Sequence, residues 1–206
     1  MTRKRTAANA DVMTPAKRRS KAPATGDGAT PLTVTRPELL IDGSDRDFRR
    51  LVHALFGFLG LHESIRDGHA RSIGLRGIDY TVLISIAHLA TEGEVNVRMV
   101  SEHLTLSGAF ITTVTRRLSA RGLIHKRTNP ADKRQVSLTI SNKGLDLLRR
   151  LAPTQRQVND VEFADLSREE LALLLDLIER LIDNSKRAIA LQKYLSSRVG
   201  ELSSAS

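Results

Sequence analysis

The stretch "LSGAFITTVTRRLSARGLIHKRTNPADKRQVSLTI", residues 106–140, changes its periodicity halfway along. In its first half Leu106, Phe110, Ile111, Val114 and Leu118 recur at spacings of three and four, which gives one apolar helical face. Ser107 stands where a helix takes its N-cap and Gly122 where a C′ glycine ends one. Residues 123–127 and 135–140 then alternate as two strands around a turn at Asn129–Pro130. Just upstream, "NVRMVSEHL" (96–104) reads as a short helix opening on Asn96, separated from the next only by "TLS". Short helix, tight turn, helix and hairpin is the winged helix-turn-helix layout. Its second helix fits a DNA major groove, and its hairpin reaches over the neighbouring backbone or minor groove.

The apolar face of the second helix leaves Ser107 at its start and Gly108, Ala109, Thr112, Thr113, Arg116 and Arg117 outside. Small and hydroxyl side chains at a helix N-terminus permit close approach to bases and phosphates, and the arginines suit phosphates or guanine edges. The competing reading is a surface helix with two solvated arginines. Charge placement favours the first. Formal charge is +9 over 206 residues; residues 1–37 carry +6 and residues 98–134 another +6, so the remainder is −3. Such a footprint points to a polyanionic partner. Within the hairpin Lys126, Arg127, Lys133 and Arg134 crowd around Asp132, as candidates for phosphate contact.

The chain has no cysteine, which excludes disulfides, thiol redox sensing and thiolate metal sites. The basic N-terminus lacks the apolar segment of a secretory signal. The longest apolar stretch, "LVHALFGFLGL" (51–61), is too short and interrupted to span a bilayer. A cytoplasmic protein with no membrane association is expected.

Composition divides the rest. Residues 1–43 read as a basic disordered tail, able to touch phosphates or merely to solubilise. "SDRD" (44–47) reads as a capping box opening a helix to the high 60s, with Phe48, Leu51, Leu55 and Leu59 as its seam. A second helix covers Tyr80–Ala90. Ser141 opens a helix that Pro153 is expected to bend. "SREE" (167–170) caps a long helix carrying Leu171, Leu174, Leu175, Ile178, Leu181 and Ile182. The fold class is mainly α with a small β-hairpin wing (α+β). Residues 73–141 form the winged helix-turn-helix domain, and helices in 44–72 and 142–200 form a dimerisation region; a monomeric core helix is the alternative for the last of these.

Residues 104–144 resemble the MarR family of dimeric winged-helix transcriptional regulators. The likeness rests on Leu104, Ser107, Leu118, the Arg-Gly-Leu-Ile run at 121–124, Arg127, Asn129 to Arg134 and "LTISNKG", with "GLRGIDYTVL" (74–83) upstream. The resemblance implies a homodimer on a pseudo-palindromic double-stranded DNA operator, most often as a repressor. It implies release by a small aromatic acid or phenol. No cofactor is expected. Arg134 would enter the minor groove and Asp132 would support the wing. The chain departs from the family at Thr113, where a basic residue is frequent, and at Arg116, where an acidic one is.

An effector site is sought on the first long helix. His62, Arg66 and His69 continue its apolar stripe, as a helix leaving the core does or as a carboxylate-binding edge would. His53, Gly57 and Gly60 share the opposite face, and two helical glycines cost roughly 1 kcal/mol each against alanine. They make room for a packed helix or for a bound molecule, and Gly77 would add more. His62 and His69 are too far apart for one metal ion without a third ligand. An enzyme is the main competing class. No nucleophile elbow, phosphate-cradling glycine loop or HExxH is present and the carboxylates sit mostly at caps and on charged helix faces, so none is expected. A sequence-tolerant architectural DNA binder, without an effector, is the closer rival.

Overall fold

The computed structural model describes residues 30–128 and 136–204. They fall into two compact units, divided after Phe56. In chain order the helices and strands are α1 (Arg46–Ser72), α2 (Gly77–Leu89), β1 (Val95–Asn96), α3 (Val97–Leu104), α4 (Gly108–Ala120), β2 (Ile124–Thr128), β3 (Val136–Ile140), α5 (Asn142–Glu162) and α6 (Arg168–Ser204).

In the first unit the segment before α1 is ordered, which corrects the extent of the expected disordered tail. Pro37–Leu39 form a 3-10 turn and Ile41 bridges Ser44. The cause is one carboxylate. Asp45, 4 % exposed, accepts hydrogen bonds from the Thr33 amide (2.8 Å), the Thr33 hydroxyl (2.7 Å) and Arg49 Nε (2.9 Å). Arg49 also donates to the Pro31 carbonyl. Asp45 thus does what the expected Ser44–Asp47 box does not, while Ser44 Oγ only accepts from the Arg46 amide at 3.3 Å. Composition read residues 30–43 as too polar to fold, but a captured carboxylate needs no apolar burial.

The Arg49 hydrogen bond, followed by the Thr33 amide, holds the Asp45 carboxyl down at about 2 instead of 3.8. A depressed folded value means that the clasp is complete above the ordinary aspartate range and is lost as pH falls through about 2. We therefore expect the Thr33 amide resonance to hold its position from neutral pH to about pH 4 and to move below that. Asp45→Asn should release it at neutral pH. A Thr33 midpoint near 4 would contradict the clasp.

In the second unit the core is built on α2, whose Tyr80, Val82, Leu83 and Ile86 are fully buried. Val95, Val100, Ile111, Val114, Leu118, Leu123, Ile124 and Leu138 close around it. The sheet runs β1-β3-β2, antiparallel throughout. Ile124 faces Ile140 and Thr128 faces Val136, so the two strands form the stem of a wing. The two-residue β1 pairs Val95 with Leu138 and ties the wing to the entry of α3; no alternation that short is legible in sequence.

Helix ends follow their capping chemistry. Asn96 Oδ1 accepts from the Met99 amide at 3.0 Å. Ser167 Oγ accepts from the Glu170 amide (3.2 Å) while Glu170 Oε2 accepts from the Ser167 amide (2.9 Å), the reciprocal box expected from sequence. That amide bond also lowers the Glu170 carboxyl below its usual range. Pro153 lies inside α5 without ending it.

Every described side chain of α6 from Arg168 to Arg198 is exposed, so α6 is no core helix of this chain. Leu171, Leu174, Leu175, Ile178, Leu181 and Ile182 are all between 36 % and 58 % exposed. At 37 residues the helix is roughly 55 Å long. The seam expected on α1 is also largely uncovered, with Leu51 and Leu59 exposed and Phe48 and Leu55 half-buried.

Candidate nucleic-acid interface

The turn between α3 and α4 is made by Thr105–Ser107. Thr105 takes a left-handed conformation (φ 54°), costly for a β-branched residue. Its neighbours hold it there: Ser101 Oγ donates to the Leu106 carbonyl at 2.5 Å, and Ser107 Oγ accepts from the Phe110 amide at 3.2 Å. The crossing of the two helices is thereby fixed by serine side chains bonded to the backbone at both ends of a three-residue link.

Four residues of α4 point inward: Ile111, Val114, Leu118 and Thr115, each at 0 % exposure. Thr115 was not expected on that face, where it donates to the Thr112 carbonyl at 3.1 Å. Phe110 was expected inside and is instead 42 % exposed. The outer face carries Gly108, Ala109, Thr112 and Arg116, exposed, with Thr113 half-buried. A Cβ at Gly108 would meet no atom within 4 Å, so the internal fold does not require glycine there. The Thr112 and Thr113 hydroxyls donate to the Gly108 (2.8 Å) and Ala109 (3.1 Å) carbonyls, which leaves their oxygen lone pairs free to accept.

Arg117 departs from its expected place on this face. Its guanidinium binds the carboxylate of Asp79, with Nη2 at 2.5 Å from Oδ1, and Asp79 is 3 % exposed. Arg121 Nη1 donates to the Gly74 carbonyl at 2.9 Å. Two arginines therefore fasten α4 to α2 and to the turn before it.

The wing is fastened at its base. Ser141, 5 % exposed, donates to the Gly122 carbonyl (2.6 Å) and accepts from the Gly144 amide (3.0 Å). A Cβ on Gly144 would stand 2.3 Å from the Leu123 carbonyl oxygen, so only glycine permits this approach. Lys126 Nζ reaches back to Thr115 Oγ1 at 3.3 Å, while Arg127 is exposed. Asp132, Lys133 and Arg134 lie outside the described residues.

The residues sought for an effector separate into two groups. His53 is exposed and meets Phe56 edge-on at 5.9 Å. Gly57 and Gly60 have no neighbouring atom within 4 Å of where a Cβ would stand, so among the described residues nothing packs against them. Gly77 provides no spare room: Asp67 Oδ1 would lie 1.8 Å from a Cβ there. His62 and Arg66, by contrast, belong to a polar cluster between α1, α2 and α5. His62 Nδ1 lies 2.9 Å from Glu162 Oε1, and Phe58 stacks on the His62 ring and meets Phe163 edge-on. Gln155 Nε2 donates to the Tyr80 hydroxyl at 3.1 Å. Burial pushes that phenol above its usual range, opposed by the Arg66 charge.

Among the described residues three buried polar atoms of α1 and α5 have no hydrogen-bond partner: Arg66 Nε, His69 Nε2 and Glu162 Oε2. Buried polar groups rarely stay unsatisfied, so this is where a polar guest would gain most. Tyr80, Gln155 and Glu162 were not found from sequence, because their partners lie up to 100 positions away and no motif links them. Among the described residues no three His, Cys, Asp or Glu side chains converge as metal ligands would.

Residues 82–136 match the model of the MarR family. The transcriptional regulator MhqR of Bacillus subtilis is 25% identical over 126 residues, 61% of this chain and 87% of that protein. The transcriptional repressor NicR of Pseudomonas putida is 30% identical over 80 residues, 39% of this chain and 51% of that protein. Among solved structures, Bordetella bronchiseptica BpsR, described with regulation of its DNA binding by 6-hydroxynicotinic acid, superposes with a TM-score of 0.52 at 24% identity. That match covers 64% of this chain and 91% of BpsR. It carries the fold.

Proposed function

We propose that this MarR-family chain is a ligand-responsive transcriptional repressor of the cytoplasm, binding a pseudo-palindromic operator as a homodimer and released by a small aromatic acid or phenol. The observation that carries the DNA part is the outer face of α4. Its small residues, outward lone pairs and exposed Arg116 sit on a helix fixed at both ends, beside a basic wing. Lone pairs on Thr112 and Thr113 suit the amino donors of cytosine and adenine, and Arg116 suits guanine or phosphate. Arg127 and Lys133 reach phosphates, Arg134 enters the minor groove and Asp132 supports it. Arg117 and Lys126 mainly position these groups.

The homodimer is supported by the uncovered apolar face of α6, since exposed stripes of that size mark interaction surfaces. The effector part is supported by the buried, unpartnered polar atoms of Arg66, His69 and Glu162. Arg66 Nε offers a donor to a carboxylate, while His69 and Glu162 meet a ring hydroxyl or ring nitrogen. Phe58 and Phe163 supply aromatic walls. NicR is named a repressor and BpsR binds DNA under control of a hydroxylated aromatic acid, in keeping with this reading.

The test is selection from random duplexes at two salt concentrations, followed by release assays with small aromatic acids and phenols. We expect a palindrome to be recovered, and one compound class to lower its affinity at least tenfold. Uniform binding with a steep salt dependence would instead identify an architectural protein.

A further inference from the structure

The leading turn of α4 holds one large side chain. Ser107 is spent on capping, Gly108 and Ala109 are the smallest residues available, and Phe110 follows at 42 % exposure. The core beneath is complete without it, because Ile111, Val114 and Leu118 are already at 0 %. Its backbone is not free to withdraw the ring, since the Phe110 amide is bonded to Ser107 Oγ. The turn carries no charged side chain. The first positive group on the outer face is Arg116, one and a half turns further on.

An exposed phenylalanine alone is unremarkable on a protein surface. Here it flanks the end of the helix that enters the groove, beside two residues too small to hold the backbone away. On a major-groove base edge the one apolar group is the thymine C5-methyl. We propose that Phe110 is a specificity-determining residue that reads a thymine methyl, once in each half-site. This rests on the operator-binding reading above and adds to it the base that the leading turn selects. A ring in contact with a methyl removes both from water, and one methyl's transfer corresponds to about a fourfold change in affinity.

The experiment uses the full chain and the duplex it enriches from a random pool. Each thymine is replaced in turn by deoxyuridine, which keeps base pairing and deletes only the methyl. The wild-type chain should lose about fourfold at one symmetry-related pair of positions. Phe110→Ala should be indifferent to that replacement while melting like the wild type, and Phe110→Leu should keep part of the sensitivity. If Phe110→Ala binds too weakly to measure, wild type and Phe110→Leu still decide. Wild-type affinity unchanged at every deoxyuridine position would overturn the proposal, as would equal sensitivity in all three chains. Failure of the wild type to enrich any duplex is a distinct result, and it would remove the operator-binding reading itself.

Discussion

Arg117→Ala should destabilise the second unit by about 3 kcal/mol, read as a lower urea midpoint at unchanged slope. The charge removed is not the main loss. Asp79 stays behind at 3 % exposure, stripped of the guanidinium that neutralised it, and an uncompensated buried charge costs about 3–5 kcal/mol. The lower end applies for two reasons. Asp79 lies in the first turn of α2, where the helix dipole favours a carboxylate. The Arg117 side chain is also one-third exposed, so solvent already screens part of the pair. Removing both charges together, as Arg117→Met with Asp79→Leu, should recover most of the loss. Measured below its melting range, Arg117→Ala should keep operator affinity within about threefold, because the residue positions α4 without touching DNA. Wild-type stability combined with a tenfold or greater loss of affinity would return Arg117 to the DNA face.

This pair also shows where sequence reading stops. Spacing within α4 placed Ile111, Val114 and Leu118 correctly, because a helix's own geometry decides which residues share a face. Spacing could not say that Arg117, at the border of that face, meets a carboxylate 38 positions earlier. Phe110 failed for the same reason: its position on the wheel is at the edge of the buried sector, and the neighbours that leave it uncovered come from elsewhere in the chain. The caps at Asn96, Ser107, Ser141 and Ser167 were legible since donor and acceptor lie within three residues. Asp45 was not, because its amide donor comes from Thr33. The effector region divides the same way. The stripe of His62, Arg66 and His69 could be read from helical spacing; the partners from α2 and α5 that bury it could not. Gly77 was read as empty space, yet Asp67 fills it, since a missing side chain shows only that something comes close.

Placing two carboxylates in the α6 stripe, as Ile178→Asp with Leu181→Asp, should convert a dimer into single chains of 22.7 kDa and lower operator affinity by at least a hundredfold. Each residue, 36 % and 49 % exposed here, would be covered in a dimer, and burial of such a side chain is worth about 1.5–3 kcal/mol. Two on each chain amount to four lost burials per dimer, with carboxylates brought into an apolar seam. The loss on DNA follows from linkage. Two half-sites held by one dimer bind with an advantage of about 10²–10⁴ over separate chains, and the monomer forfeits it. Helix content and the melting of the winged-helix core should survive, because no described α6 side chain up to Arg198 is buried within the chain. Light scattering at micromolar concentration and operator titration decide together. A wild-type chain that scatters as a monomer, or a double variant that keeps both mass and affinity, would mean that the α6 stripe is not the dimer interface.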